Sequence, residues 1–112
     1  MSGISGSVEQ MTQGHLRNVQ QLAVFYTGHN NIYAINIAKV KAFIITEEVA
    51  INDTPRDTNV IAGIATIRGE PVTLINLDAW LGLPALEVKD YKLIIFCEFN
   101  HKKIGFLVKD ML

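Results

Sequence analysis

The stretch Leu93-Ile94-Ile95-Phe96-Cys97 is apolar at every position, and this constrains the fold more than any other feature of the chain. A strand points successive side chains to opposite faces, so an unbroken apolar run of this length needs cover on both sides. The segment Lys92 to Phe99 is followed by Asn100-His101-Lys102-Lys103 and then by Ile104 to Val108, a pattern that predicts a hairpin. A doubly covered strand requires a substantial core, and the composition supplies one: 49% of the 112 residues are hydrophobic and 19% are charged. That balance describes a single globular domain rather than a disordered chain.

The other elements are short. Residues 1–20 are rich in Gly, Ser, Gln and Thr, with sparse apolar positions (Ile4, Val8, Met11, Leu16); the expectation is a mobile arm, with a short helix capped by Ser7 as the open alternative. The domain is expected over 21–112. Leu22 to Tyr26 and Ile32 to Ile35 read as a hairpin across Gly28-His29-Asn30-Asn31. Asn36 is placed to cap a helical turn, with Ile37, Val40, Phe43 and Ile44 at spacings of three and four on its inner face. Asn52 to Asn59 collects turn formers and predicts a surface loop. Ile61 to Ile67 and Val72 to Ile75 are expected as strands flanking Arg68-Gly69-Glu70-Pro71, and Asn76 to Pro84 as a short capped helix with Leu77, Trp80 and Leu81 on one side. Short strands, brief turns and the lack of βαβ spacing point to a small barrel or paired barrels. The sequence ends at Met111-Leu112 directly after a strand, which predicts an open apolar strand edge.

Charge and motif content exclude several function classes. Ten basic and eleven acidic residues give a net charge of -1, too little positive charge for phosphate neutralisation to supply binding energy, so no nucleic acid is expected. The aromatics sit inside apolar runs rather than beside Lys and Arg, which also disfavours an oligonucleotide-binding barrel. No apolar window approaches the roughly 20 residues of a membrane span, and no leader signal is evident, so the expectation is a cytoplasmic protein without membrane insertion. His15, His29 and His101 have no second ligand at helical spacing, and the glycines form no phosphate-binding loop. Neither a metal nor a cofactor is expected. Glu47 and Glu48, read as neighbours on a strand, point to opposite faces and form an exposed acidic edge rather than a catalytic pair. Cys97, the lone cysteine, reads as a buried, inert thiol in a reducing compartment; the alternative is a small-molecule-binding or enzymatic barrel that uses Cys97 as its reactive group.

Several segments together resemble the CheW-like coupling domain of bacterial chemotaxis. They are Gln21-Leu22-Ala23-Val24-Phe25 with Gly28, Tyr33-Ala34-Ile35-Asn36-Ile37, Lys39-Val40, Gly63 through Gly69 with its closing Arg68-Gly69, Pro71, Leu74-Ile75-Asn76-Leu77, Leu81-Gly82-Leu83, and Gly105-Phe106-Leu107-Val108. They follow one another in the family's order. Cys97-Glu98-Phe99 and Trp80 resemble the CheV version, where a receiver domain follows the coupling domain. The chain departs from the family pattern at Asn76 and Lys109, where Asp is common, and at Ala42, where Glu is common.

The resemblance implies paired five-stranded barrels, the second incomplete at the C-terminal end, and no catalysis. It implies a signal-transduction scaffold that couples the cytoplasmic tip of a chemoreceptor to the regulatory domain of a histidine kinase. Val40, Phe43, Gly63, Arg68 and Gly69 are the expected partner contacts, with Arg68 favoured because a guanidinium at a strand end reaches solvent and makes forked hydrogen bonds. The open C-terminal strand would allow a homodimer.

Overall fold

A computed structural model describes residues 21–52 and 60–112. The expected arm and most of the expected 52–59 loop lie outside the described residues. Among the described residues nine strands form two sheets: β1 (Leu22–Tyr26), β2 (Ile32–Asn36), β3 (Val40–Ile45), β4 (Ile51–Asn52), β5 (Ile61–Ile67), β6 (Glu70–Asn76), β7 (Leu93–Phe99), β8 (Lys102–Val108) and β9 (Asp110–Met111). A four-residue helix, α1 (Leu77–Trp80), follows β6. The smaller sheet has the order β2-β1-β9 and the larger β3-β7-β8-β6-β5-β4. The protein is mainly β, as expected, but both sheets are open rather than closed into five-stranded barrels.

β7 carries the unbroken apolar run, which is buried along Leu93 to Cys97. β3 and β8 flank it, and each of its faces meets a different core. One face carries Ile94 and Phe96, which pack with Ala62, Ala65, Ile67, Val72, Leu74, Tyr91 and Leu107. The other carries Leu93, Ile95 and Cys97, which pack with Val108 and with Phe25 of the smaller sheet. Unbroken hydrophobicity in β7 is therefore the signature of a strand between two cores.

β8 lies antiparallel to β7 and parallel to β6. A parallel neighbour requires a crossover, and the chain makes it through α1, a 3-10 turn at Val88–Asp90 and β7. Gly105 permits this central packing: a Cβ there would come within 2.7 Å of Ile94 Cγ2 and 2.9 Å of Leu74 Cδ2. The three hairpin turns use residues that accept positive φ, with Asn30 at 65°, Arg68 and Gly69 at 54° and 78°, and Asn100 and His101 at 51° and 67°. Successive positive φ values in two-residue connections match the right-handed twist of the strands they join.

Three expectations change. Asn36 does cap a turn, accepting from Ala38 N–H at 2.9 Å, but the turn ends at Lys39. Val40, Phe43 and Ile44 belong to β3 instead of to a helix face. Spacings of three and four were ambiguous over so short a segment, and the edge of β7 offered pairing to a β-branched sequence; a register shift between Val40 and Ala42 adds to the ambiguity. Glu47 and Glu48 lie in a 3-10 turn, Thr46–Glu48, rather than on a strand, and both are exposed. Finally, the last long strand, β8, has a neighbour on each side. The chain then turns so that Lys109 N–H donates to Tyr26 O at 2.8 Å and Leu112 N–H to Val24 O at 3.0 Å, which places β9 beside β1.

Candidate interaction surface

The five expected contact residues occupy separate places. Phe43 and Ile45 project from β3 opposite Ile95 and Leu93 and are 43% and 47% exposed. Val40 is half-buried and packs on the core around Cys97. Gly63 is buried in β5, where a Cβ would lie 2.6 Å from the carbonyl oxygen of Asn52; its lack of a side chain admits β4. Arg68 and Gly69 form the exposed β5–β6 turn. Among the described residues the Arg68 guanidinium has no ion-pair partner. Three strands separate β3 from β5, so at about 4.8 Å between neighbours the Phe43 and Arg68 positions are two patches and not one.

A third surface, an apolar groove, lies where the two sheets meet. β1 turns Ala23 and Phe25 inward, and its partners across the hairpin are Ile35 and Tyr33. Opposite them, Asn76 caps α1 by accepting from Ala79 N–H at 3.2 Å, and the helix presents Leu77 and then Leu81. Between these walls the groove encloses about 170 Å³ and is lined by Phe25, Tyr33, Ala34, Ile35, Leu77, Leu81, Ile95 and Phe106. Trp80 stacks on Phe106 with ring centroids 6.0 Å apart, and Phe99 meets the same ring edge-on at 6.5 Å. Trp80 is nevertheless 59% exposed. Solvated aromatic and aliphatic side chains clustered beside a groove are the usual mark of a protein-binding surface.

The second residue of α1, Asp78, belongs to a buried polar cluster. Asp78 and Tyr91 are 0% and 1% exposed. Tyr91 hydroxyl donates to Asp78 Oδ2 at 2.6 Å, has Asn76 Oδ1 at 3.2 Å, and accepts from Leu86 N–H at 3.1 Å. Burial, reinforced by the bond to Asp78, raises the phenol to about 12, so it stays protonated and able to donate. Gly28 N–H donates to the same Asp78 oxygen at 2.9 Å.

The residues weighed for chemistry are dispersed. Cys97 is fully buried, and burial pushes its thiol up to about 11, the opposite of what a nucleophile needs. His29 and His101 are exposed in different turns. Among the described residues no group of three or more His, Cys, Asp or Glu is arranged to hold a metal ion, and no helix is long and apolar enough to cross a membrane. Sequence reasoning missed the groove and the Asp78–Tyr91 cluster. The groove is assembled from α1 and strands of both sheets, and Tyr91 is isolated between polar neighbours; neither has a local pattern.

Comparison with known proteins sets this geometry in a family context. The sequence profile described as the CheW-like domain matches residues 21–112. The chemotaxis protein CheV3 of Helicobacter pylori is 35% identical over 81 residues, covering 71% of this chain and 25% of that protein. CheV2 of the same organism is 25% identical over 114 residues, covering 90% of this chain and 36% of that one. The chain thus spans between a quarter and about a third of the length of these relatives. Among solved structures, the scaffolding protein TtCheW of Thermoanaerobacter tengcongensis superposes with a TM-score of 0.69 at 25% identity, covering 83% of this chain and 64% of that one.

Proposed function

Because the chain belongs to the CheW-like domain family, we propose that it is a chemotaxis coupling scaffold that joins a chemoreceptor tip to the regulatory domain of a histidine kinase in the cytoplasm. The observation that carries this reading is the apolar groove between the sheets, walled by Tyr33, Ile35, Leu77 and Leu81 and bordered by exposed Trp80. Such a surface binds by burying anchors and requires no chemistry. An amphipathic helix laid into a groove of this kind reads as apolar anchors at spacings of three and four, and a receptor tip that presents such a helix would fit it. Phe43 on β3 and the Arg68–Gly69 turn are separate patches, so a second partner has room to bind without displacing the first. In this reading Val40 anchors β3, the strand that exposes Phe43, to the core around Cys97, and Gly63 admits β4 beside β5, the strand that leads into the Arg68 turn. Self-association along β9, which has one neighbouring strand among the described residues, is a further part of the proposal; sedimentation that returns only monomer removes it.

Retention on immobilised receptor and kinase fragments tests the reading. The wild-type chain is expected to be retained by both. Arg68→Ala is expected to weaken one of the two while leaving circular dichroism unchanged, because the Arg68 side chain is exposed and exposed positions contribute little to folding. Failure of both fragments to retain the wild-type chain overturns the reading.

A further inference from the structure

The groove has two walls on different sheets, and what holds them at a fixed spacing is visible at one turn. β2 carries one wall and α1 the other. The β1–β2 turn reaches across to α1 through Gly28 N–H, which donates to Asp78 Oδ2 at 2.9 Å. A second tie, on the exposed side, joins His29 Nε2 to the carbonyl oxygen of Pro84 at 2.7 Å. The approach is so close that a Cβ on Gly28 would lie 2.4 Å from Asp78 Oδ2 and 2.7 Å from Leu86 Cδ1.

Asp78 itself is fixed from behind. Tyr91 donates to Oδ2 at 2.6 Å, and the same hydroxyl accepts from Leu86 N–H at 3.1 Å. The other carboxylate oxygen, Oδ1, is buried and has no hydrogen-bond partner. A wholly buried carboxylate with one oxygen unsatisfied costs stability. The helix does not need it either, since Asn76 already caps α1. Its Oδ2 instead links Tyr91 to the turn of the other sheet. Resting on the scaffold reading for what the groove binds, we infer that Asp78 is a positioning residue: with Tyr91 and Gly28 it clamps the β1–β2 hairpin to α1 and sets the width of the groove.

The clamp is read without any partner by amide hydrogen exchange on the whole chain, and its consequence is then read by binding. Gly28→Ala forces the turn off Asp78. Asp78→Asn keeps the shape of the side chain but replaces a charged acceptor with a neutral amide, and serves should Gly28→Ala fail to fold. In either variant, amides of β1 and β2 are expected to exchange about tenfold faster, because local opening is independent of the global transition. Amides of β6, β7 and β8 are expected to keep the wild-type rate. His29→Ala, which cuts only the exposed tie, should give a much smaller change. Retention on the receptor fragment should fall in parallel with the exchange rate of β1 and β2.

Uniformly faster exchange over both sheets in Asp78→Asn would make the residue a general stabiliser and overturn the clamp. Unchanged exchange would overturn it as well. Faster hairpin exchange with undiminished retention would show that groove width is not what the partner reads. If the wild-type chain is not retained at all while the hairpin is released in the variants, the clamp stands and the scaffold reading is what fails.

Discussion

The two sheets are held together by different means. In the larger one, β5, β6, β7 and β8 are each seven residues long, and nine buried residues interlock on one face alone. The smaller sheet has two strands of five residues and one of two, and β2 presents Ile32, Tyr33 and Ala34 to solvent. It rests on its neighbour chiefly through Phe25, Ile35 and Met111 and through the polar ties at Gly28 and His29. Redundant packing makes the larger sheet indifferent to any one polar bond, whereas the smaller sheet takes its orientation from a few contacts. The groove proposed to receive a partner lies where those two regimes meet.

The strongest challenge to this contrast is a cavity in the larger core. Leu74 is 0% exposed and lies against Gly105. Leu74→Ala is expected to cost about 2–5 kcal/mol, the range for truncating a buried leucine where the surroundings cannot collapse, measured by urea unfolding. The transition should stay single, because the smaller sheet packs on the larger and has no independent core. A loss under about 1 kcal/mol, of the size seen at ordinary surface positions, would mean that stability resides elsewhere.

Tyr91 ranks next, because it touches both regimes: its ring belongs to the larger core and its hydroxyl to the clamp. Tyr91→Phe keeps the ring and removes the hydroxyl, leaving Leu86 N–H without this acceptor and Asp78 without this donor. The expected cost is about 1–3 kcal/mol, the range for orphaning buried polar groups. The pH dependence has a definite sign. Folding raises the phenol from 10.0 to about 12, so both states are protonated below pH 10 and the contribution is fully present there. Between pH 10 and 12 the unfolded chain loses the proton while the folded one keeps it, and stability is lost. Tyr91→Phe should therefore lose less stability than wild type across that window, and parallel curves would show that the phenol is not held in its protonated form.

These two residues also illustrate what was legible beforehand. Leu74 and the β7 run announced themselves, because an apolar strand and its period are local properties of a sequence. The hairpin turns were equally readable, since residues such as Asn30, Gly69 and Asn100 mark positive φ. β3 was not, because six residues bearing Val40, Phe43 and Ile44 satisfy helical spacing as well as strand alternation, and only the presence of β7 decides between them. The groove and clamp join residues as far apart in sequence as Gly28 and Asp78. Family resemblance marked Leu81 and Phe106 without saying that they line one groove, and Gly28 without saying that it meets Asp78; Asp78 and Tyr91 had no signal at all.

The smallest expected effect is the most direct comparison of the sheets, and Cys97 reports it. Its side chain sits in the core between them, beside Phe25, Leu93, Ile95 and Val108, and is fully buried. Alkylation therefore requires opening, and the thiol raised to about 11 by burial must also regain its ordinary acidity before it reacts. Two openings expose it: global unfolding, or detachment of the smaller sheet while the larger stays intact. If the sheets differ as argued, native-state alkylation followed by mass spectrometry should give an opening free energy below the global value from urea, by about 1 kcal/mol or more, as for other subglobal openings. Gly28→Ala should lower the opening value further than it lowers the global one. Equal values in wild type and variant alike would mean that the sheets open only together, and the smaller sheet would then be as firmly held as the larger. Rapid labelling of the native wild-type protein, at the rate of a free thiol, would go further and return Cys97 to the reactive residues.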